Sequence, residues 1–361
     1  MKQKNMKALI LCAGQGTRLM PLTRTTPKQL LPVANKPILF YLLEQIQRAG
    51  IRDVGVVVSP EVGDSIRQAV GDGATWGVSF TYIQQPQPLG LAHAVRLSRE
   101  FLGDDDFLML LGDNLAQDDA IKLVKRFYDE QAVALVSLKE VADCRQFGVA
   151  QIDDDGRVTH LVEKPKQDIS HLAVAGLYVF SPHIHPAIDA IVPSSRGELE
   201  ITDAIQQLIA DGYKVTSHNL SGWWFDIGTP QGLLQANRKM LDTCLERNIA
   251  CDVGYDNHIE GQVVIQAGTT VAGSTIRGPV SIGRNCRIQV SIIGPCVSIG
   301  DGVSITGSTI EDSVILDGGC ICNARVLCRS LISRRAEITA GTSWDAGVIE
   351  LCAGDDEHIR L

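Results

Sequence analysis

Residues 9–29, "LILCAGQGTRLMPLTRTTPKQ", begin as an apolar run and pass at once into a loop carrying Gly14, Gly16, Arg18 and Lys28. A strand that stops at Cys12 and empties into glycines predicts the first unit of an α/β sheet, whose ligands bind beyond the carboxyl ends of its strands. A dinucleotide fingerprint requires GxGxxG, and Leu19 stands where the third glycine belongs; a P-loop requires GxxxxGK[ST], and no such string occurs. What remains is a loop whose backbone N–H groups can approach phosphate oxygens without Cβ interference. Arg18 can grip such oxygens in bidentate fashion, and Lys28 adds a point-like positive charge. The chemistry implied is the handling of a polyphosphate.

Working outward, the alternation continues to about Asn237. "KALILC" (7–12), "VGVVVS" (54–59), "SFTYIQ" (79–84), "DFLMLLGD" (106–113), "AVALVSL" (132–138) and "GLYVFS" (176–181) read as strands. Helical spacing fills 38–49, 64–70, 90–101 and 120–129. The pattern predicts a Rossmann-like, mixed but mostly parallel sheet with helices on both faces. Residues 231–250 have helical spacing and link this part to the next.

From about residue 255 the period changes. Ile265, Val271, Ile276, Ile282, Ile288, Ile293, Ile299, Ile305, Ile310, Ile315 and Ile321 follow one another at gaps of five or six, with Gly, Asn or Asp shortly after many of them. That period predicts a hexapeptide, left-handed parallel β-helix in which each apolar residue stacks inside a coil. The expected domains are 1–240, catalytic, and 241–361, β-helical.

A chain of 361 residues with 45% apolar and 21% charged residues fits a soluble, two-domain protein. Its net charge of −9 argues against nucleic acid or an anionic membrane as the main partner, though not against an anionic small substrate met by local Arg and Lys. The apolar run Ala8–Ala13 is too short for a signal peptide, and no run approaches a membrane span, so a cytoplasmic location is expected. The ten cysteines include no CxxC pair and are expected to stay reduced; Cys320 and Cys322, on one strand face, lack the further ligands of a zinc set.

"AGQGTRLMPLTRTTPKQLLPVANKPIL" resembles the signature of sugar-1-phosphate nucleotidyltransferases, and the likeness extends from Met6 through the β-helix. The resemblance implies transfer of a nucleotidyl group from a triphosphate, dTTP or UTP, to a sugar 1-phosphate with release of pyrophosphate. It implies nucleotide contacts at Gly14, Gly16, Thr17, Gln85 and Gly90, with Gln84 as the alternative reader of the base. It implies sugar contacts at Gly148, Glu163 and Gly176, and catalytic roles for Arg18, Lys28 and Lys164. "LLGDN" (110–114) ends an apolar strand at Asp113, and "WWFDIG" (223–228) sets Asp226 in an apolar frame; by resemblance the two hold Mg2+. Two carboxylates suit that hard cation, which takes its remaining ligands from phosphates and water. Departures from the family pattern are Phe147 where Tyr is common, Met20 where Arg is common, Leu89 in place of an Asp, and Phe225 and Ile227 beside Asp226.

Two rival readings are weighed against this. A hexapeptide acyltransferase uses a coil histidine as base, yet no His lies between Ile259 and Ala346. A non-catalytic regulatory subunit would have no need of the loop, both carboxylates and both lysines. The open end of a β-helix needs covering, and identical chains are the simplest cover, so a homo-oligomer is expected.

Overall fold

The computed structural model describes residues 6–118, 120–341 and 347–361. They divide into two compact units, one containing residues up to Gly14 with Ile38–Asp226, the other Gln15–Pro37 with Ile227–Leu361.

The first unit is built on a nine-stranded mixed sheet: β1 (Met6–Leu11), β2 (Asp53–Val58), β3 (Ser79–Gln84), β4 (Asp106–Leu111), β5 (Ala134–Glu140), β6 (Gly148–Ile152), β7 (Val158–Glu163), β8 (Leu172–Phe180) and β9 (Val215–Asn219). The order runs β7-β6-β8-β4-β1-β2-β3, with β5 joining β8 to β9. β1 lies parallel between β2 and β4, and β2 parallel to β3. A strand buried on both faces reads as a continuous apolar run rather than an alternating one, which makes "ALIL" conspicuous. β8 runs antiparallel to β4, β5 and β6, and β7 antiparallel to β6. The expected strands are present, as are the helices expected at 38–49, 64–70 and 120–129; β6, β7 and β9 are additional, and β8 starts earlier than its apolar end suggests.

Local chemistry sets the helices. The helix Ile38–Arg48 follows Pro37 and buries Ile38, Leu39, Leu42, Leu43 and Ile46 at three- and four-residue spacing. The expected helix at 90–101 is broken: Leu91–Leu97 stops at Ser98, and a second short helix, Arg99–Leu102, follows. The link helix Pro230–Cys244 has proline at its start and the Thr229 hydroxyl accepting from the Gly232 N–H, a strong N-terminal signal.

In the second unit, short strands stack into three parallel sheets of seven, five and six strands among the described residues. This is a parallel β-helix. Every member of the isoleucine and valine series from Ile265 to Ile321 is buried in its core. Registers such as Ile265↔Ile282 and Ile282↔Ile299 place like residues above one another. Serines tie the corners: Ser274 Oγ accepts from the Ser291 N–H, and Ser291 Oγ from the Ser308 N–H, each one coil of 17 residues on. All ten cysteines are free thiols.

Candidate active site

The carboxylates come first, because the sheet positions them. β4 ends at Leu111, and the Gly112 N–H donates to the Leu11 carbonyl at 3.0 Å, so the chain leaves the sheet beside the end of β1. Asp113 follows, nearly buried. Residues Asn114–Ala116 then pair antiparallel with Trp224–Asp226, and the register sets Asp226 opposite Asn114. Two aspartates far apart in sequence are thereby brought one ribbon position apart.

Side chains lock that ribbon. Asn114 Nδ2 donates to Asp113 Oδ1 at 3.0 Å, and Trp224 Nε1 donates to Asn114 Oδ1 at 2.9 Å. Just beyond, buried Asp118 accepts from the Ser221 N–H at 2.9 Å and the Ser221 hydroxyl at 3.0 Å, and pairs with Lys122. Burial alone would raise the Asp118 pKa; the bonds from Ser221, Lys122 and His218 outweigh it and bring the pKa below its usual value. Asp118 thus staples the segment that leads into Asp226. Sequence reading missed it, since an acid in "QDD" reads as solvated surface.

The residues expected by resemblance on the sugar side lie near that ribbon. Glu163, the last residue of β7, pairs with Gly148 at the start of β6. Thr202 Oγ1 donates to Glu163 Oε2 at 3.3 Å, while Lys164 and Arg196 stand 3.7 and 3.8 Å from Oε1. Lys164 has a left-handed φ of 42° and its N–H donates to the Phe147 carbonyl, which turns the chain sharply there. A Cβ on Gly176 would lie 3.1 Å from the Asn114 side chain, so β8 passes directly against the aspartate ribbon. Phe147 meets Trp224 edge to face at 5.2 Å, closing the gap between the β6 entry and that ribbon.

Sequence reading also missed Arg196. It bridges Glu163, Glu198 and Glu200, with Glu200 at 3.2 Å and nearly buried. Burial raises the Glu200 pKa, with Glu163 and Glu198 adding to the rise. "RGELE" carries no periodic signal that separates this cluster from an ordinary charged turn.

The loop expected to meet the base is tied to that same segment. The Leu199 N–H donates to the Leu89 carbonyl at 2.8 Å, and the Ala92 N–H to the Leu199 carbonyl at 3.1 Å. Gly90 has φ +100°, and a Cβ there would lie 2.3 Å from the Leu199 oxygen, so no other residue fits. Gln85 is buried, and its Nε2 donates to the Gly90 carbonyl and faces His93 Nδ1, both at 3.1 Å. Burial, aided by Arg96, lowers the His93 pKa, favouring the neutral ring that can accept this bond. Gln85 and Gly90 are therefore joined, whereas Gln84 is exposed.

In the second unit, the loop from Gln15 holds Gly16 at φ +68°, with Thr23 Oγ1 donating to its carbonyl at 2.8 Å. The space that a Cβ on Gly16 would need is taken by Thr23, whose Cγ2 lies 3.0 Å from that position, and by Lys28, whose Cβ lies 3.1 Å from it. Lys28 is thus laid across the glycine loop, and Thr17 and Arg18 stand exposed on the short turn that follows Gly16.

Residues 7–243 match the family described as nucleotidyl transferase. The chain belongs to that family. The glucose-1-phosphate thymidylyltransferase of Streptomyces antibioticus is 48% identical over 92% of this chain and 94% of its own. The low-salt glycan biosynthesis nucleotidyltransferase Agl11 of Haloferax volcanii is 41% identical over 99% of this chain and all of its own length. Among solved structures, a UDP-glucose pyrophosphorylase complexed with UDP-glucose matches with a TM-score of 0.59 at 26% identity, covering 66% of this chain and 99% of that one.

For a nucleotidyl transferase, the donor set at Asp113 and Asp226 is chemically apt. Two carboxylates are hard oxygen ligands, and among the described residues no group of three or more His, Cys, Asp or Glu competes as a metal cluster. Magnesium commonly takes one or two protein carboxylates and completes its shell from substrate phosphates and water. The residues present fit it. Two of the departures from the family pattern, Met20 and Leu89, are exposed apolar side chains. No helix among the described residues is long and apolar enough to cross a membrane.

Proposed function

We propose that this nucleotidyl transferase moves a thymidylyl group from dTTP to glucose 1-phosphate, giving dTDP-glucose and pyrophosphate. The observation that carries the reading is the ribbon register that sets Asp226 opposite Asn114, next to Asp113, in a chain nearly half identical to a thymidylyltransferase.

The reaction is an in-line displacement. An oxygen of the sugar phosphate forms the new bond to the α-phosphorus, and the bond from that phosphorus to the bridging oxygen of pyrophosphate breaks. A phosphate at neutral pH is already a nucleophile, so the side chains have little proton transfer to do and act by positioning and charge neutralisation. Arg18 binds phosphate oxygens of the triphosphate in bidentate fashion, and Lys28 neutralises a further charge. Backbone N–H groups at Gly14, Gly16 and Thr17 cradle the same phosphates. Gln85 and Gly90 receive the base. Glu163 accepts from sugar hydroxyls, Gly148 and Gly176 leave room for the ring, and Lys164 holds the sugar's phosphate. Mg2+, when held by Asp113 and Asp226, supplies charge neutralisation and a template for the phosphates.

The enzyme works on small molecules in the cytoplasm, where nucleoside triphosphates are made, and as a homo-oligomer whose β-helices cover one another. The likeness to a UDP-glucose pyrophosphorylase makes UTP the second candidate donor, since dTTP differs from it by one methyl group and one sugar oxygen. Each such difference is worth about 1–3 kcal/mol in a fitted pocket. A panel of triphosphates against glucose 1-phosphate, read by pyrophosphate release, is expected to rank dTTP first. A UTP preference overturns the donor assignment, and no release with any triphosphate overturns the reaction.

Gly148→Ala probes the sugar side. The new Cβ would lie 2.7 Å from Thr202 Cγ2 and 3.2 Å from Glu163 Oε2, so both must move. The expected result is a rise of about tenfold or more in the KM for glucose 1-phosphate, because misplacements of around an ångström carry such penalties. The KM for dTTP should stay nearly constant; an equal rise in both would refute the sugar assignment.

A further inference from the structure

The segment that carries Lys28 is fastened to the β-helix on both sides of that lysine. Before it, the Thr25 hydroxyl donates to the Asp355 carboxylate, and the Arg334 guanidinium donates to the Thr26 hydroxyl at 3.0 Å. Asp355 is itself fixed by the Ser333 hydroxyl and by the Arg334 N–H at 3.1 Å. Pro21 packs against the same coil, its Cβ 3.1 Å from where a Cβ on Gly354 would stand. Thr26 is buried.

After Lys28, the chain makes a hairpin in which Val33 pairs with Lys36. Its two tip residues, Ala34 and Asn35, have φ of 49° and 61°. A left-handed alanine is unfavourable by itself, so something must hold the tip. The Ala34 N–H donates to Asn237 Oδ1 at 2.8 Å, an oxygen that also accepts from the Ser298 hydroxyl at 2.7 Å. Asn35 Nδ2 donates to Ser281 Oγ at 3.0 Å and to the Ile299 carbonyl at 2.8 Å. The second anchor thus joins the link helix, through Asn237, and the coils of Ser281 and Ile299, while the first joins the last coils; Lys28 lies in the stretch of chain between them.

We propose that the β-helix is part of the triphosphate-binding apparatus: Asp355 and Arg334 on its last coils, through Thr25 and Thr26, are positioning residues that set where Lys28 stands beside Gly16. The proposal rests on the reading of Lys28 as a triphosphate ligand. It gives the β-helix a role in catalysis that self-association does not require. It also accounts for polar side chains that a purely structural coil end would not need to aim at an N-terminal loop.

The test compares Asp355→Ala, Thr25→Val, Thr25→Ser and Lys28→Ala in the full-length protein by initial rates with each substrate varied. Asp355→Ala and Thr25→Val are each expected to raise the KM for dTTP about tenfold, the scale of one lost hydrogen bond to a charged group. The KM for glucose 1-phosphate should remain within about twofold, and the thermal midpoint of Thr25→Val close to that of the parent. Thr25→Ser keeps the hydroxyl and should restore the parent values. In a Lys28→Ala background, Asp355→Ala should add little, because both act through one interaction. The proposal fails if Thr25→Val leaves the dTTP KM unchanged while Lys28→Ala raises it, or if both substrates' KM values rise together with a lowered thermal midpoint. If Lys28→Ala itself leaves the dTTP KM unchanged, the triphosphate reading of the loop falls and the positioning role falls with it. Should Asp355→Ala not fold, Thr25→Val breaks the same contact from the loop side and decides the matter alone.

Discussion

Asp113→Asn and Asp226→Asn are each expected to lower kcat by about 10²–10³-fold, the loss seen when one charge-stabilising contact is removed from a water-poor site. Asparagine keeps the shape of aspartate and an acceptor oxygen, so the bond from Asn114 Nδ2 to position 113 can persist. What it removes is the negative charge that a divalent cation requires. Folding should be unharmed, because the ribbon is held by its own pairing, by Trp224 on Asn114 and by Asp118 on Ser221. The loss should therefore appear with an unchanged thermal midpoint and with a higher Mg2+ concentration for half-maximal rate. A direct binding measurement with Mn2+ in place of Mg2+ should weaken in parallel, independently of turnover. Combining the two substitutions should cost less than the product of the single effects, since both aspartates serve one group. Parent-like turnover at low Mg2+ in either variant would remove the metal assignment.

That prediction combines something the sequence displays with something it hides. Asp113 is legible because it directly follows the end of an apolar strand, and strand ends of this sheet type face the ligand. Its proximity to Asp226 is reached only through the family resemblance, because a three-residue ribbon closing across 110 residues leaves no periodic trace. The β-helix is the most legible element: each coil repeats the same demand for one buried residue at each corner, and Ile265, Ile282, Ile299 and Ile315 satisfy it in register. The clustered charges around Arg196 escape notice for the opposite reason. In one dimension "RGELE" is a polar turn, and only the packing of Glu200 under Arg196 ties it to Glu163. The docking of Thr25 on Asp355 spans 330 residues, and no local rule reports a contact of that range. Glycine, by contrast, signals correctly where backbone has to pass close, as at Gly90 against Leu199.

Arg18→Ala should reduce kcat/KM for dTTP by about 10²–10³-fold, or roughly 3–4 kcal/mol of transition-state stabilisation. The residue is exposed and sits on the first turn after Gly16, so truncation should change stability by no more than about 0.5 kcal/mol. A large loss of rate with a negligible loss of stability separates a ligand-binding role from a structural one. Arg18→Lys sharpens the test. Lysine restores the charge but not the planar fork that meets two phosphate oxygens at once, so it should recover only part of the lost rate. If lysine recovered all of it, simple charge neutralisation would suffice and the bidentate grip would be wrong. If Arg18→Ala kept parent turnover, the loop would be a turn with surface cations after all, and the polyphosphate reading that began with Gly14, Gly16 and Arg18 would have to be abandoned. The deficit should also be largest in the step that releases pyrophosphate, since the bound oxygens gain charge as that bond breaks. Pyrophosphorolysis, the same step run backwards, should fall by a similar factor.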